Sequence, residues 1–340
     1  MNPVSASSLA GPADGARSLW LRFVLPLVLI SLLMGLIGAV GYRYLSGEIR
    51  RETQRTLVVI AEQKRQQIEN HLAETRIDAE SYFSADSRLA VLFSEWLAGG
   101  RHDDAIVARM YDHLGDVARR RGWDGLAVFD AGGQPVFSLG EVGPGGHASL
   151  IGDVLARPRI ELVDLHRSAG SGGHYGIVAP IGPKDGPLGV VYLAWRADRV
   201  LDPLVESWPV PTRTAETYLV RRDDEGVRFL TPLRHQQDAA LTLIRPLGTP
   251  DLPAARAVQG ELGILAGGRD YRGVPVLAYA AAVAGTPWLM LAEIDEREAY
   301  AGIRTVAWVT ALVMGLGLLL IHAAAYLLWR RAQQRQELAA

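Results

Sequence analysis

Residues 268–295 read GRDYRGVPVLAYAAAVAGTPWLMLAEID, and this stretch decides the fold of the chain. Two apolar runs, 274–283 and 288–294, have the length and composition of β-strands. Turn-forming residues lie at 271–273, before the first run, and at 284–287, between the two runs. The spacing predicts consecutive antiparallel strands joined by short turns.

Similar strand-like runs occur earlier in the chain, in two groups separated by Pro209 and Pro211. The runs lie at 126–130, 135–139, 160–166, 174–181 and 188–195, and again at 217–222, 227–230 and 263–271. Helical patterns precede them, and a short helix is predicted at 198–208. Strands joined by hairpins with helices collected at one side predict an α+β fold with two antiparallel sheets.

A long helix is predicted from residue 46 to about 83, where the chain has no proline and no glycine after Gly47. Its apolar residues share one helical face: Leu57, Ile60, Ala61, Ile68, Leu72, Ala79 and Phe83. We expect a stalk that becomes a packed element of the domain and pairs with its copy in a homodimer. The alternative is a solvated linker helix.

Two segments, 23–41 and 306–329, are apolar enough to cross a bilayer as helices, which requires about 20 residues each. Arginines flank them at Arg17 and Arg22 and at 330–335, which predicts that both termini are cytoplasmic and that residues 43–304 lie outside the inner membrane. A cleaved signal peptide is the alternative for the first segment.

Composition excludes several other classes. The chain has no cysteine, so it has no disulfide framework and no zinc-thiolate or iron–sulfur site. The formal net charge of -2 argues against a generally basic nucleic-acid binder.

The stretch 268–295 resembles the closing strands of a double Cache sensor domain. The matching positions are Gly268, Asp270, Tyr271, Gly273, Val276, Leu277, Val283, the turn 285–288 and the residues 293–295. Residues 216–223, ETYLVRRD, are similar to the opening of the same module, and residues 128–136 and 189–193 resemble the first module more loosely.

This resemblance implies two tandem PAS-like modules with five-stranded antiparallel sheets, carried on the long N-terminal helix and flanked by two transmembrane helices. It also implies an input domain of a chemoreceptor, histidine kinase or diguanylate cyclase that binds a small solute in the membrane-distal module. The Arg-x-Trp-Tyr type motif of the amino-acid-binding subset is missing, so an amino-acid ligand is not expected. Only residues 330–340 follow the second span, so the cytoplasmic output is expected on a separate chain, unless the chain is a truncation.

The predicted organisation has seven parts: a cytoplasmic tail (1–22), a first span (23–45), a stalk and helical region (46–121), a membrane-distal module (122–212), a membrane-proximal module (213–304), a second span (305–329) and a second tail (330–340).

The predicted ligand-binding residues lie in neighbouring strands of the first module: Asp164, His166, Arg167, His174, Tyr175, Tyr192 and Trp195. The glycine-rich segment 169–173 is expected to close their pocket. The alternative is an exposed sheet face, where alternation alone places polar residues outward. We expect no catalytic set, no metal site and no cofactor, and we interpret an aspartate of the run His102-Asp103-Asp104 as a helix cap.

Two other functions fit the same fold. A structural or partner-binding platform in the periplasm predicts a first module whose pocket is filled by its own side chains. A membrane-anchored hydrolase requires at least two of Asp164, His166, Ser171 and His174 to converge within hydrogen-bond reach.

Overall fold

The structure is a computed structural model that describes residues 12–140, 142, 147–168, 171–183 and 185–337, with side chains described except at 12–23, 168, 171, 336 and 337. Its two compact units are Met1–Thr53 with Ala299–Ala340, and Gln54–Glu298.

Three helices precede the first strand: α1 (Pro12–Tyr82), α2 (Arg88–Ala98) and α3 (Asp104–Arg121). The side chain of Asp103 accepts hydrogen bonds from the backbone N–H groups of Ala105 and Ile106, so the predicted cap is confirmed. Gly122 ends α3 in the left-handed conformation, at φ 68°, where glycine is favoured.

The first sheet is formed by β1 (Gly125–Asp130), β2 (Pro135–Gly140), β3 (Glu161–Ser168), β4 (Ser171–Ile181) and β5 (Gly189–Arg196), with helix α4 (Ala148–Ala156) between β2 and β3. It is antiparallel and has the order β2-β1-β5-β4-β3. The five strands agree with the predicted runs, whereas α4 was not predicted.

The second sheet has the order β8-β7-β6-β11-β10-β9 and is also antiparallel. Its strands are β6 (Glu216–Asp223), β7 (Gly226–Phe229), β8 (Ile244–Arg245), β9 (Gly263–Arg269), β10 (Pro275–Ala282) and β11 (Leu289–Asp295). The two-residue strand β8 makes this sheet six-stranded, where five strands were expected. Helix α6 (Pro253–Val258) lies between β8 and β9 in the chain.

Shorter elements complete the chain. The helix predicted at 198–208 is a 3-10 turn (Ala197–Arg199) followed by α5 (Leu201–Glu206). After β11 come α7 (Glu296–Ala299) and α8 (Ala301–Glu337). The predicted α+β class with two antiparallel sheets, a long N-terminal helix and a C-terminal apolar helix is confirmed, while the numbered domain boundaries stay predictions.

Each sheet has an inner face and an outer face, because side chains alternate along a strand. We call inner the face that packs in one large core with α1, represented by Leu193 in the first sheet and Met290 in the second. The stripe of α1 belongs to this core: Leu57, Ile60, Ala61, Ile68, Ala79 and Phe83 are buried and Leu72 packs against them. The apolar stripe is therefore covered within the chain, and the homodimer stays a prediction.

The unit that contains the chain termini has two helical segments long and apolar enough to cross a membrane, within α1 and α8, by length and composition. They contact each other through small residues. A side chain at Gly38 would come within 3.1 Å of Met314, and one at Gly317 within 2.7 Å of Met34. Glycines at these positions let the two helices approach closely, as in packed membrane helices. Membrane anchoring and orientation stay predictions.

Candidate functional site

A cavity of about 620 Å³ lies on the outer face of the first sheet, bordered by β1, β5 and α4. Its lining includes Phe129, Val142, His147, Ile151, Leu155 and Tyr192. The volume is in the range of small-molecule sites, and apolar walls with a few polar groups are typical of them.

The pleat of β5 places Tyr192 at this cavity. Val190, Tyr192 and Ala194 belong to the outer face, whereas Val191, Leu193 and Trp195 belong to the inner core. A side chain at Gly176 in β4 would lie 2.6 Å from the Tyr192 ring, so only glycine leaves room for the ring against the sheet. Glycine at this position thus permits the observed placement of the tyrosine ring, and it also leaves room for the backbone oxygen of Leu193.

Three histidines and Tyr192 lie side by side on this face. The His147 ring is 4.7 Å from the Tyr192 ring and 4.9 Å from the His166 ring, and His166 is 6.4 Å from His174. Burial, and then the neighbouring His166, lower the pKa of His147; burial, and then His174, lower the pKa of His166. These two imidazoles are therefore neutral at neutral pH.

The Tyr192 side chain lines the cavity and carries a buried hydroxyl. The residue is 1% exposed, and its hydroxyl has no hydrogen-bond partner among the described residues. Burial raises its pKa, so the hydroxyl stays protonated and can both donate and accept. A buried polar group without a partner costs free energy that a bound ligand recovers.

No charged side chain lines the cavity in the part of the chain that the structure describes. A zwitterion or an anion would find no counter-charge on these walls, and burying an unpaired charge is costly.

The seven predicted ligand-binding residues are divided between the two faces of the sheet. His166, His174 and Tyr192 lie together on the outer face. Tyr175 and Trp195 lie in the inner core, with rings stacked 5.9 Å apart. They do not line the cavity, because in both β4 and β5 they are one residue away from its outward-facing side chains.

Asp164 takes part in a junction between the two sheets. Its Oδ1 accepts a hydrogen bond of 2.6 Å from the Trp288 indole N–H, and its carboxylate forms an ion pair with Arg221 in β6. Trp288 is completely buried, and its ring contacts Tyr175 edge to face. The Tyr175 hydroxyl in turn lies 2.7 Å from Nε2 of His71 in α1. Asp164 and Tyr175 therefore connect modules and helix, and sequence alone could not separate this role from binding.

The remaining predictions concern the end of β3 and the following segment. Arg167 is exposed. Residues 169 and 170 lie outside the described residues, whereas 171–173 belong to β4 and do not form the loop that was predicted to close the pocket. Of the four residues that the hydrolase function requires to converge, Asp164 is engaged with Trp288 and Arg221, the rings of His166 and His174 lie 6.4 Å apart, and the side chain of Ser171 lies outside the described residues.

Sequence reasoning missed His147 and the apolar residues of α4. The sequence does contain a signal for this helix. Apolar residues recur at helical spacing after a glycine-rich stretch, at Leu150, Ile151, Val154 and Leu155. The helix was overlooked because it is short and lies between stronger strand patterns.

Several solved structures have a fold similar to that of this chain. The extracellular domain described as that of histidine kinase mmHK1S-Z3 is 16% identical, with a TM-score of 0.53 over 74% of this chain and 97% of that one. The corresponding domain of soHK1S-Z6 is 15% identical, with a TM-score of 0.52 over 76% and 99%. The chain has the fold of an extracellular sensor domain. The resemblance to double Cache sensor domains is thereby confirmed at the level of the fold.

The ligand-binding domain of Mlp24, solved with asparagine, has the same sensor-domain fold, at 12% identity and a TM-score of 0.50 over 75% of this chain and 99% of that one. No family model matches the sequence, and no curated protein matches it. At these identities the sensor-domain likeness concerns the fold, and the ligand must be argued from the cavity.

Proposed function

We propose that this chain is an extracytoplasmic sensor module, anchored by two membrane helices, that binds a small uncharged solute on the outer face of its first sheet. The observation that carries the proposal is the cavity of about 620 Å³ lined by Tyr192, whose buried hydroxyl has no hydrogen-bond partner among the described residues. A platform whose pocket is filled by its own side chains does not account for this space.

The sensor-domain fold and the two apolar helices support the location. The solved neighbours are extracellular domains, and the segments of α1 and α8 that are apolar enough to span a membrane flank the sheets in sequence. The helix α1 contains both the first apolar segment and the buried stripe that contacts the sheets. A ligand that binds one conformation of the first module more tightly would shift the population of conformations in contact with this helix.

The test is ligand-induced stabilisation of the full chain in detergent micelles. Thermal unfolding is followed against a panel of neutral solutes, such as short amides, lactones, alcohols and small aromatics, with free amino acids as the charged class. We expect one or more neutral solutes to raise the unfolding midpoint, because a ligand that binds only the folded state stabilises it. Free amino acids are expected to have no effect.

Tyr192→Phe removes the hydroxyl and keeps the ring, so it should weaken the affinity for the active solute roughly three- to tenfold, as expected for one hydrogen bond. Tyr111→Phe is the matched control, because Tyr111 lies on α3 and is 45% exposed. Equal affinity of the Tyr192→Phe chain and the parent would contradict this site. A panel without any active solute would favour the platform function instead.

A further inference from the structure

Three carboxylates meet in the second module: Glu216 in β6, Glu293 in β11 and Asp270 directly after β9. We call them the carboxylate cluster. One oxygen of each lies within 4.8 Å of the others, and all three residues are buried. Buried carboxylates so close together repel one another strongly unless protons or a cation neutralise part of their charge.

The register of the sheet places two of them face to face. Glu216 and Glu293 are direct partners in the antiparallel pair of β6 and β11. Directly opposite side chains in such a pair have Cβ atoms about 4.5–5.5 Å apart, and like charges at these positions destabilise the sheet. The fold therefore holds these charges together instead of separating them.

Glu216 and Asp270 are held in place by neighbouring donors. Glu216 Oε1 accepts a hydrogen bond of 2.8 Å from the Tyr271 hydroxyl, and Oε2 accepts one of 2.9 Å from the Arg234 backbone N–H. Asp270 Oδ1 accepts hydrogen bonds from the backbone N–H groups of Arg272 and Val274. Such hydrogen bonds to the ligand groups are the usual support of metal-binding carboxylates.

Glu293 and Tyr218 lack such partners. Apart from each other, Glu293 and the hydroxyl of Tyr218 have no hydrogen-bond partner among the described residues, although Glu293 is 1% exposed and Tyr218 is completely buried. Tyr218 pairs with Leu291, two residues before Glu293, so its side chain is a diagonal neighbour of Glu293 on the same face. A buried hydroxyl and a buried carboxylate thus lie together on this face, with no further hydrogen-bond partner among the described residues.

The surrounding positive charge does not balance the cluster. Arg272 forms an ion pair of 2.5 Å with Asp270, but it also forms one of 2.6 Å with Asp295. One guanidinium is thus shared between the cluster and a fourth carboxylate. A divalent cation would supply the missing charge.

We propose that the carboxylate cluster Glu216, Asp270 and Glu293 binds a calcium ion. Calcium takes oxygen ligands at about 2.3–2.6 Å, so its ligands lie up to about 5 Å apart, whereas magnesium requires about 2.0–2.1 Å and strict octahedral geometry. The separation of up to 4.8 Å between the carboxylate oxygens therefore suits calcium better. The ion would tie β6, β11 and the turn after β9 together, and this proposal does not depend on the ligand of the first module.

The experiment uses the full chain in detergent micelles, stripped with a chelator and dialysed. Calcium chloride is titrated by calorimetry, and thermal unfolding is compared with and without millimolar calcium. We expect binding of roughly one ion per chain and a rise of the unfolding midpoint of roughly 5–10 °C at a hundredfold excess over Kd. Magnesium chloride should produce a smaller rise.

Glu293→Gln keeps the shape of the side chain and removes one carboxylate of the facing pair, so the calcium-free variant should be at least as stable as the parent but gain no stability from calcium. Glu261→Gln is the control, because Glu261 is an exposed partner of Arg256 in the same module and should leave the calcium response intact. Asp270→Asn is a second ligand variant, for use if Glu293→Gln does not fold. An unchanged midpoint of the parent in calcium, or the same rise in the ligand variant as in the parent, overturns the proposal.

Discussion

The two sheets have similar inner faces and different outer faces. Both inner faces pack in the core shared with α1. The outer face of the first sheet leaves a cavity between Tyr192 and α4, whereas that of the second sheet is occupied by the rings of Tyr218, Phe229 and Tyr271, whose centroids lie 5.3 to 6.4 Å apart. Related sheets thus differ in the side-chain volume on one face, and this volume decides which module has room for a solute.

The most severe test of this comparison replaces one phenylalanine on each outer face. Phe229 is completely buried among aromatic rings, so Phe229→Ala should lower the free energy of unfolding by about 3–5 kcal/mol. Phe129 already borders the cavity, so Phe129→Ala should cost only about 1 kcal/mol. Chemical denaturation of the full chain in detergent measures both losses. Equal losses would mean that the first outer face is as densely packed as the second.

A smaller effect is expected at Lys64, which joins the two modules on the side of α1. Its buried ammonium donates hydrogen bonds to the backbone oxygens of Val205 and Ser207 and, at 2.8 Å, to the Thr217 hydroxyl. Lys64→Met fills the space but leaves these acceptors unpaired, which should cost roughly 2–4 kcal/mol.

The same denaturation experiment with Gln66→Met, at an exposed position of the helix, is the control for Lys64. Hydrogen exchange should show lost protection at residues 201–217, while the affinity for a first-module ligand stays within a factor of two or so of the parent. A large loss of ligand affinity would show that the junction controls the cavity.

Two tyrosines on opposite faces of the first sheet give a third test. Tyr175→Phe removes the hydrogen bond to His71 on the inner side, so it should lower stability by about 1 kcal/mol and leave ligand affinity unchanged. Tyr192→Phe removes an unpartnered hydroxyl, so it should leave stability unchanged or slightly higher and should lower the affinity for the ligand. If Tyr175→Phe lowered the ligand affinity and Tyr192→Phe lowered the stability, the inner face and not the outer face would be the one that binds the ligand.

The smallest predicted effect is a pH dependence of the free energy of unfolding that arises from two histidines on the outer face of the first sheet. Because the folded-state pKa values of His147 and His166 are lowered, the unfolded chain binds protons more readily at these residues. The contribution of these two imidazoles to the free energy of unfolding is fully present above the unfolded-state pKa of about 6.5. It is lost as the pH falls below that value. The parent should therefore lose stability relative to the double variant His147→Asn, His166→Asn as the pH is lowered from 7.5 to 5.5, so the difference in unfolding free energy between them should narrow. A difference independent of pH would show that these imidazoles are not desolvated.

The secondary structure was largely predictable because its signals are local. The runs that became β9, β10 and β11 carry their own turn residues, and the stripe of α1 follows the helical repeat. The ligand-binding residues stay a prediction. His166, His174 and Tyr192 lie near one another on the outer face, and of the seven predicted residues Tyr192 is among those that line the cavity. The sequence could not separate Asp164, Tyr175 and Trp195 from them, since alternation shows that two faces exist without showing what covers each.

The sequence by itself determined the α+β class, the long apolar-striped helix and the two apolar segments, because composition and periodicity act within a few residues of the chain. Only the tertiary structure decided that α4 borders a cavity, that Lys64 reaches Thr217, and that Glu216 faces Glu293. These contacts join residues far apart in the chain, and they depend on strand register and on the packing of whole elements, for which no local pattern provides a signal.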